Sequence, residues 1–240
     1  FILMRLVTKA LFLSFILISN SYADGISEKI GNLISEMVPG EGYTETSIDL
    51  RENNSPDFSI LAVREISKTD DGNFFTQFSL FNTEKNSSDR WVGNLGFGKR
   101  MLSDDKTSMT GINAFIDYDT KSNARASLGL EAKNAVLAFN ANYYEELPNS
   151  FGNEVGEKVL DGYDLRLASQ IPYLHWANAF VNSYHWDGVE RDDVEGIMLG
   201  ADMFLSPTLN LELAFDDKDK AGVEDEWYAK LQFFYPPREG

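Results

Sequence analysis

Apolar and polar residues alternate along most of the chain after residue 45. In one segment Trp91, Leu95 and Phe97 share one parity, whereas Asn94 and Gly96 occupy the other. Successive side chains of a β-strand point to opposite faces, so such a segment has one apolar face and one polar or small face. Twelve segments follow this pattern and predict twelve strands: Thr46–Arg51, Phe58–Ser67, Phe74–Asn82, Trp91–Arg100, Met109–Tyr118, Ala124–Glu131, Ala135–Glu146, Gly162–Gln170, Trp176–Trp186, Val194–Phe204, Thr208–Phe215 and Glu226–Tyr235.

The connections between these segments alternate in length. Those after odd-numbered segments are longer and more polar, Leu147–Asp161 and Asp216–Asp225 being the clearest, whereas even-numbered ones such as Ala132–Asn134 are short. Leu102–Ser108 is an exception. An even strand count with tight periplasmic turns and longer outer loops is typical of outer-membrane barrels. The pattern predicts an all-β fold, a closed antiparallel transmembrane β-barrel whose two ends both lie in the periplasm.

Aromatic residues lie near the ends of the predicted strands, where amphipathic rings favour the membrane–water interface. The alternative is a soluble β-sandwich, whose core also takes aromatic residues and whose strands also alternate. The strand count and the loop asymmetry favour the barrel. The aromatic residues in question are Trp91, Tyr118, Tyr143, Tyr163, Trp227 and Tyr235.

The first residues have the features of a secretory signal peptide. Arg5 and Lys9 precede an apolar run over 10–18, and the small residues Ser21 and Ala23 occupy the positions that signal peptidase reads. The run is shorter than the roughly 20 residues that a transmembrane helix needs. We therefore predict a Sec-type signal peptide over 1–23 with residues 1–3 upstream of the start Met4, a periplasmic segment over 24–45 that opens with a short helix over 26–37, the barrel over 46–235 and a C-terminal remnant over 236–240.

Composition excludes several classes of function. The chain has no cysteine, which excludes cysteine-ligated zinc, thiol catalysis and stabilisation by disulfides. Its formal net charge is −17, and loss of Arg5 and Lys9 with the signal peptide makes it −19. A polyanion without a basic stripe is not attracted to phosphate backbones, so we predict no nucleic-acid binding.

Candidate chemical motifs are weak. The glycines over 93–98 lie inside an alternating segment with no helix start after them, so a strand is the better interpretation than a phosphate loop. The acidic stretch 217–222 has Tyr228 where a calcium loop needs a bidentate Glu. His175 and His185 lie at opposite ends of one strand, roughly 33 Å apart, and no third group is evident for a Ser183–His185 pair. We predict no catalytic residues, cofactor or metal, and no enzyme activity.

Six stretches of the chain, in order, resemble the β-domain of inverse autotransporters, the intimin and invasin group of bacterial adhesins. The resemblance covers roughly residues 26 to 235, and its most specific part is the Gly-x-Asn-x-Phe-x-Asp-Tyr-Asp run followed by Arg…Gly-x-Glu. The stretches are Phe75–Gln77, Asn94–Arg100, Gly111–Asp119, Arg125–Glu131, Asn140–Tyr144 and Gly162–Arg166.

The resemblance implies a twelve-stranded barrel in the outer membrane of a Gram-negative cell. Members export a C-terminal passenger through the pore, and the passenger carries adhesion. Only the remnant follows Tyr235 here, so we expect either a truncated sequence or a barrel that carries no passenger, and these residues do not themselves support adhesion. The expected partners are membrane lipid, periplasmic chaperones and the barrel-assembly machinery, with the barrel monomeric.

Polar residues shared with the family are expected to face the lumen, where they pair with one another or meet water. Their face assignment comes from the alternation, and we assign them a structural role. We predict an anchoring or translocation barrel; the alternatives are a free-standing pore or structural barrel, and a secreted soluble β-sandwich binding module. The expected lumen positions are Asn113, Asp117, Arg125, Glu131, Asn142, Asp164 and Arg166.

Overall fold

The structure is a computed structural model that describes most of the chain from residue 39 onward. Within the described residues, no helix has the length and apolar character needed to cross a membrane. The predicted signal peptide and almost all of the predicted helix over 26–37 lie outside the described residues and stay predictions. The described residues are 32, 39–52, 55–85, 88–147, 160–188, 193–219 and 224–238.

All twelve predicted strands are present. Several extend past the apolar alternation because backbone pairing continues into polar residues; β11, for example, reaches Asp219. The strands are β1 Gly42–Arg51, β2 Asp57–Thr69, β3 Gly72–Lys85, β4 Ser88–Leu102, β5 Ser108–Asp119, β6 Ala124–Asn134, β7 Leu137–Glu146, β8 Gly162–Ile171, β9 Leu174–Trp186, β10 Val194–Ser206, β11 Leu209–Asp219 and β12 Glu226–Tyr235.

The sheet closes on itself. Each strand pairs antiparallel with its neighbours in sequence, and β1 pairs with β12 through a register that runs from Thr44–Tyr235 to Arg51–Tyr228. A closed sheet leaves no strand edge, so every strand finds hydrogen-bonding partners on both sides. The predicted antiparallel barrel is confirmed, and the soluble β-sandwich is excluded.

The two ends of the barrel differ in their connections. At the terminal end, where β1 begins and β12 ends, four of the five turns have two residues and the fifth spans 103–107. At the opposite end, called the loop end here, the connections reach fifteen residues over 147–161, although the one over 86–87 is short. The predicted asymmetry is therefore present as a trend with two exceptions.

The long turn over 103–107 is stabilised by its own side chains. The Asp105 carboxylate accepts hydrogen bonds from the Ser103 hydroxyl at 2.5 Å and the Thr107 N–H at 3.1 Å. These bonds, the Ser103 hydroxyl first, hold the pKa of Asp105 below its ordinary value because they favour the charged form. The five-residue turn at the terminal end thus satisfies its own polar groups.

Large apolar side chains cover the outer face of the barrel. Leu128 is 65% exposed, Leu199 58% and Ile116 57%, values that a water-soluble surface does not tolerate over a continuous band. Five aromatic side chains lie on this face near the loop end and are 44–55% exposed: Trp91, Tyr118, Tyr143, Tyr163 and Trp227. The exposed band with aromatic residues at its rim is that of an outer-membrane barrel.

Candidate functional site in the barrel lumen

Strand register assigns the inward face. Asn113 lies opposite Gly129 and Asp117 opposite Arg125, on the parity that alternates with the exposed Ile112. Paired residues in a sheet share a face, so this parity lines the lumen around the whole barrel. The seven polar positions expected from the sequence all lie on it.

Arg125 is the centre of the first lumen cluster. Its Nε and Nη2 donate to Asp117 Oδ2 at 3.0 and 2.8 Å, and the Asn94 amide donates to the other oxygen of the same carboxylate. The guanidinium lies over the rings of Tyr144 and Trp186, 4.4 and 5.5 Å from their centroids. The guanidinium is held firmly, because one carboxylate oxygen accepts two of its N–H groups and two aromatic rings contact the same planar group.

Arg166 forms a second cluster that joins strands β8, β10 and β11. Its Nη2 lies 2.7 Å from Asp202 Oδ2 and 2.8 Å from Glu212 Oε2. The guanidinium carbon is 3.6 Å from the centroid of the Phe180 ring on β9. Asp202 and Glu212 are direct cross-strand partners, so the arginine bridges two carboxylates whose charges would otherwise repel each other.

A third cluster surrounds Arg51 on the β11–β12–β1 side. Arg51 Nη1 lies 2.9 Å from Glu226 Oε1 and 3.9 Å from Asp216 Oδ2. Lys218 Nζ is 2.5 Å from the same Glu226 oxygen, and the Tyr184 hydroxyl donates to Asp216 at 2.9 Å. The two cations and two carboxylates compensate one another within the wall.

The remaining predicted positions also have neighbours in the wall. Glu131 accepts a hydrogen bond of 2.7 Å from Nε of Arg100, which lies on β4. Asp164 accepts from the Asn142 amide at 3.1 Å and the Tyr144 hydroxyl at 2.8 Å. The side-chain oxygens of Asn113 and Asn142 lie over Gly129, so the space above this glycine is already filled.

Sequence reasoning named only part of this network. Five further charged residues form ion pairs either with the predicted residues or with one another and were not predicted: Arg51, Arg100, Asp202, Glu212 and Glu226. All five lie on inward parity within the predicted strands, so the alternation contains the signal that would have found them. The functional role of the seven predicted positions stays a prediction.

Comparison with protein families decides what kind of barrel this is. A family model described as the β-domain of inverse autotransporters matches residues 14–235. The chain belongs to the inverse autotransporter β-domain family. This match spans every strand of the barrel and confirms the resemblance carried by the sequence motifs. No curated protein matches the chain significantly.

Solved structures similar to this inverse autotransporter barrel establish its fold. A membrane protein from a study of in-meso crystallization has a TM-score of 0.68 at 19% identity, with 81% of this chain and 83% of that chain covered. The KdgM porin follows with 0.51 at 5% identity, covering 80% and 98%. Outer membrane phospholipase A from Escherichia coli has 0.50 at 8% identity, covering 81% and 90%. At these identities the likeness concerns the barrel alone.

The outer face of the inverse autotransporter barrel holds a polar group that sequence reasoning missed. His185 lies at the loop end of β9 with Asp187 and Glu195 beside its two ring nitrogens, at 2.9 and 2.8 Å. No orienting group for the histidine was evident from the sequence, yet the structure provides two. Both nitrogens therefore face carboxylates and not the Ser183 hydroxyl, which is not the geometry of a Ser–His pair in a hydrolase. His175 at the other end of the strand faces Gln170.

Two motifs weighed from the sequence lie in strands or outside the described residues. The glycines over 93–98 lie within β4, as predicted, and the Phe115 ring covers Gly96 from the lumen. Asp217 and Asp219 belong to β11, whereas 220–223 lie outside the described residues, so the calcium loop that we rejected is not tested as a whole.

Proposed function

We propose that this barrel anchors in the outer membrane and exports a polypeptide segment that continues from β12 through the lumen. In this arrangement the terminal end faces the periplasm and the loop end faces the outside. The proposal rests above all on the path of the chain after Tyr235, which turns towards the bore at the terminal end.

Arg238 marks that path. Its N–H donates to the Pro207 carbonyl oxygen at 2.8 Å, in the turn between β10 and β11. Its guanidinium carbon lies 4.0 Å from the ring centroid of Phe234 and 5.1 Å from that of Phe204. Both rings are on inward parity, paired with Glu45 and Asn210 respectively. A segment continuing from Arg238 would therefore start at the periplasmic mouth of the lumen, not in the lipid.

Arrival in the membrane would follow the route of other exported barrels. We expect the predicted signal peptide over 1–23 to direct Sec-type export, after which periplasmic chaperones and the barrel-assembly machinery insert a monomeric barrel. The outward apolar band then contacts lipid directly. We expect no enzymatic activity, and adhesion would belong to an exported passenger and not to the barrel.

Surface display of a fused segment tests this function. An epitope tag joined after Gly240 should be accessible to antibody on intact cells, while the barrel fractionates with the outer membrane and changes gel mobility on boiling. A matched fusion that places the tag before Gly42 should bind antibody only after permeabilisation.

A folded, heat-modifiable barrel whose C-terminal tag stays inaccessible on intact cells would refute export. In that case the free-standing pore is the function to examine. Ion conductance of the untagged chain across a planar bilayer is then the measurement that separates a pore from a purely structural barrel.

A further inference from the structure

A histidine and three carboxylates converge on the outer face at the loop end. Donor atoms of His185, Asp187 and Asp193 all lie within 4.8 Å of one another. The Gly188 N–H donates to Asp193 Oδ1 at 2.9 Å, which directs this carboxylate towards the histidine. His185 is 20% exposed and Asp187 61%, so the group is open to ions from solution.

The histidine is oriented as a metal ligand is oriented. Its Nδ1 lies 2.8 Å from Glu195 Oε1, while Nε2 faces Asp187. A ligating imidazole usually donates its second N–H to a carboxylate, which sets the tautomer and the angle of the ring. The ring also stacks on Tyr163, with centroids 5.5 Å apart and planes 16° apart. Nε2 is thereby held towards the two aspartates.

The surrounding charge favours a bound cation. Glu195 lies directly opposite Asp219 across β10 and β11, and like charges in that position destabilise a sheet. The Asp161 carbonyl oxygen accepts from the Asp187 N–H, which brings a further acidic residue to the same rim. A divalent ion would offset this repulsion more fully than a proton on the single imidazole.

We propose that His185, Asp187 and Asp193 bind one divalent first-row transition-metal ion, with Glu195 as the carboxylate that orients the histidine. Ligand atoms around a tetrahedral zinc ion lie about 3.3–3.6 Å apart. The donor atoms here lie within 4.8 Å of one another, so the exposed carboxylates need to move inward by at most about 1.5 Å to bind the ion. Imidazole together with carboxylate suits zinc and its neighbours, whereas calcium takes six to eight oxygens. The ion would join the ends of β9 and β10 at the outer rim.

Zinc titration of the full chain tests the site. The barrel is refolded in detergent, treated with a chelator and titrated calorimetrically with zinc chloride, and one ion per barrel is expected. His185→Ala should weaken binding by more than about 100-fold, and Glu195→Ala by about 10- to 100-fold, as loss of an orienting carboxylate does. His175→Ala is the matched control because it removes the chain's other histidine at the opposite end of the same strand, and it should bind zinc as the unaltered chain does.

Unboiled gel mobility confirms that each variant is folded before titration. Failure of the unaltered barrel to bind zinc would overturn the proposal, and so would His185→Ala binding zinc as tightly as the unaltered chain. Calcium binding that is insensitive to His185→Ala would also overturn it, because it would assign the rim to a site built from oxygens alone. The measurement involves no fused segment, so its outcome is independent of export.

Discussion

Replacing Arg166 by methionine should destabilise the barrel more than an exposed charge substitution does. The arginine is 27% exposed at its side chain, with Asp202 at 18% and Glu212 at 10%. Methionine retains much of the apolar stem, so the change removes mainly the guanidinium, with its charge and its contact with the Phe180 ring. It leaves two neighbouring carboxylates of β10 and β11 facing each other with their bridging cation gone.

The expected loss follows from the burial of the pair. Removing one partner of a fully buried ion pair costs about 3–5 kcal/mol, because the remaining charge stays uncompensated. Because about a quarter of the arginine side chain is exposed, water screens part of the uncompensated charge. Loss of the contact between guanidinium and ring adds about 0.5–1 kcal/mol. We therefore expect Arg166→Met to lower the free energy of unfolding by about 2–4 kcal/mol.

Denaturant titration of the refolded chain, followed by tryptophan fluorescence, measures the difference. The triple variant Arg166→Met, Asp202→Asn, Glu212→Gln is the control, because it removes the arginine and both carboxylate charges together. It should regain most of the lost stability, since replacing a whole buried ion-pair group is often nearly neutral. The reasoning is refuted if Arg166→Met unfolds within about 0.5 kcal/mol of the unaltered chain, or if the triple variant is as unstable as the single one.

Two further pairs of substitutions, each a test with its control, concern the inner and outer faces of the wall. Gly96→Ala would place a methyl group into the Phe115 ring and should cost about 1–3 kcal/mol, whereas Gly93→Ala on the outer face of the same strand meets only a backbone oxygen 3.9 Å away and should be tolerated in the same unfolding assay. Leu128→Arg, at a 65% exposed position in the middle of β6, should cost about 2–4 kcal/mol in lipid vesicles. Tyr173→Arg, in a terminal-end turn and 95% exposed, should leave stability unchanged; equal losses for the two would contradict the assigned membrane band.

The fold could be predicted because alternation and closure carry most of its information. A period of two fixes which residues face lipid, and an even number of strands with unequal connections is what a barrel requires. Strand ends were less accurate: β11 was predicted to stop at Phe215 but continues to Asp219. Pairing past the membrane band depends on backbone hydrogen bonds with β10 and not on side-chain polarity, so the sequence contains little signal for it.

The sequence predicted which face of the wall the lumen residues occupy, but it did not predict which of them pair with one another. Asp117 and Arg125 flank a short connection, so their direct pairing follows once the strands are aligned. Arg166 and Glu212 are 46 residues apart and meet because the wall curves between β8 and β11. The carboxylates beside His185 were missed because Glu195 lies ten residues later in the chain and faces the histidine only through the β9–β10 register, which the sequence alone does not give.

The arrangement of the ion pairs bears on whether the bore can transmit a chain. In the described part of the wall, Arg125 bonds across one strand boundary, Arg51 reaches two strands along the wall and Arg166 three. Strands on opposite sides of this twelve-stranded barrel are six apart, and none of these pairs joins them. These ion pairs link strands along the barrel wall, and they do not cross the lumen to the opposite side. A segment entering beside Arg238 could then displace water from the centre of the lumen while the ion pairs remain intact. We therefore expect substitutions of the ion-pair residues to lower the stability of the barrel, and to have less effect on export by those barrels that still fold.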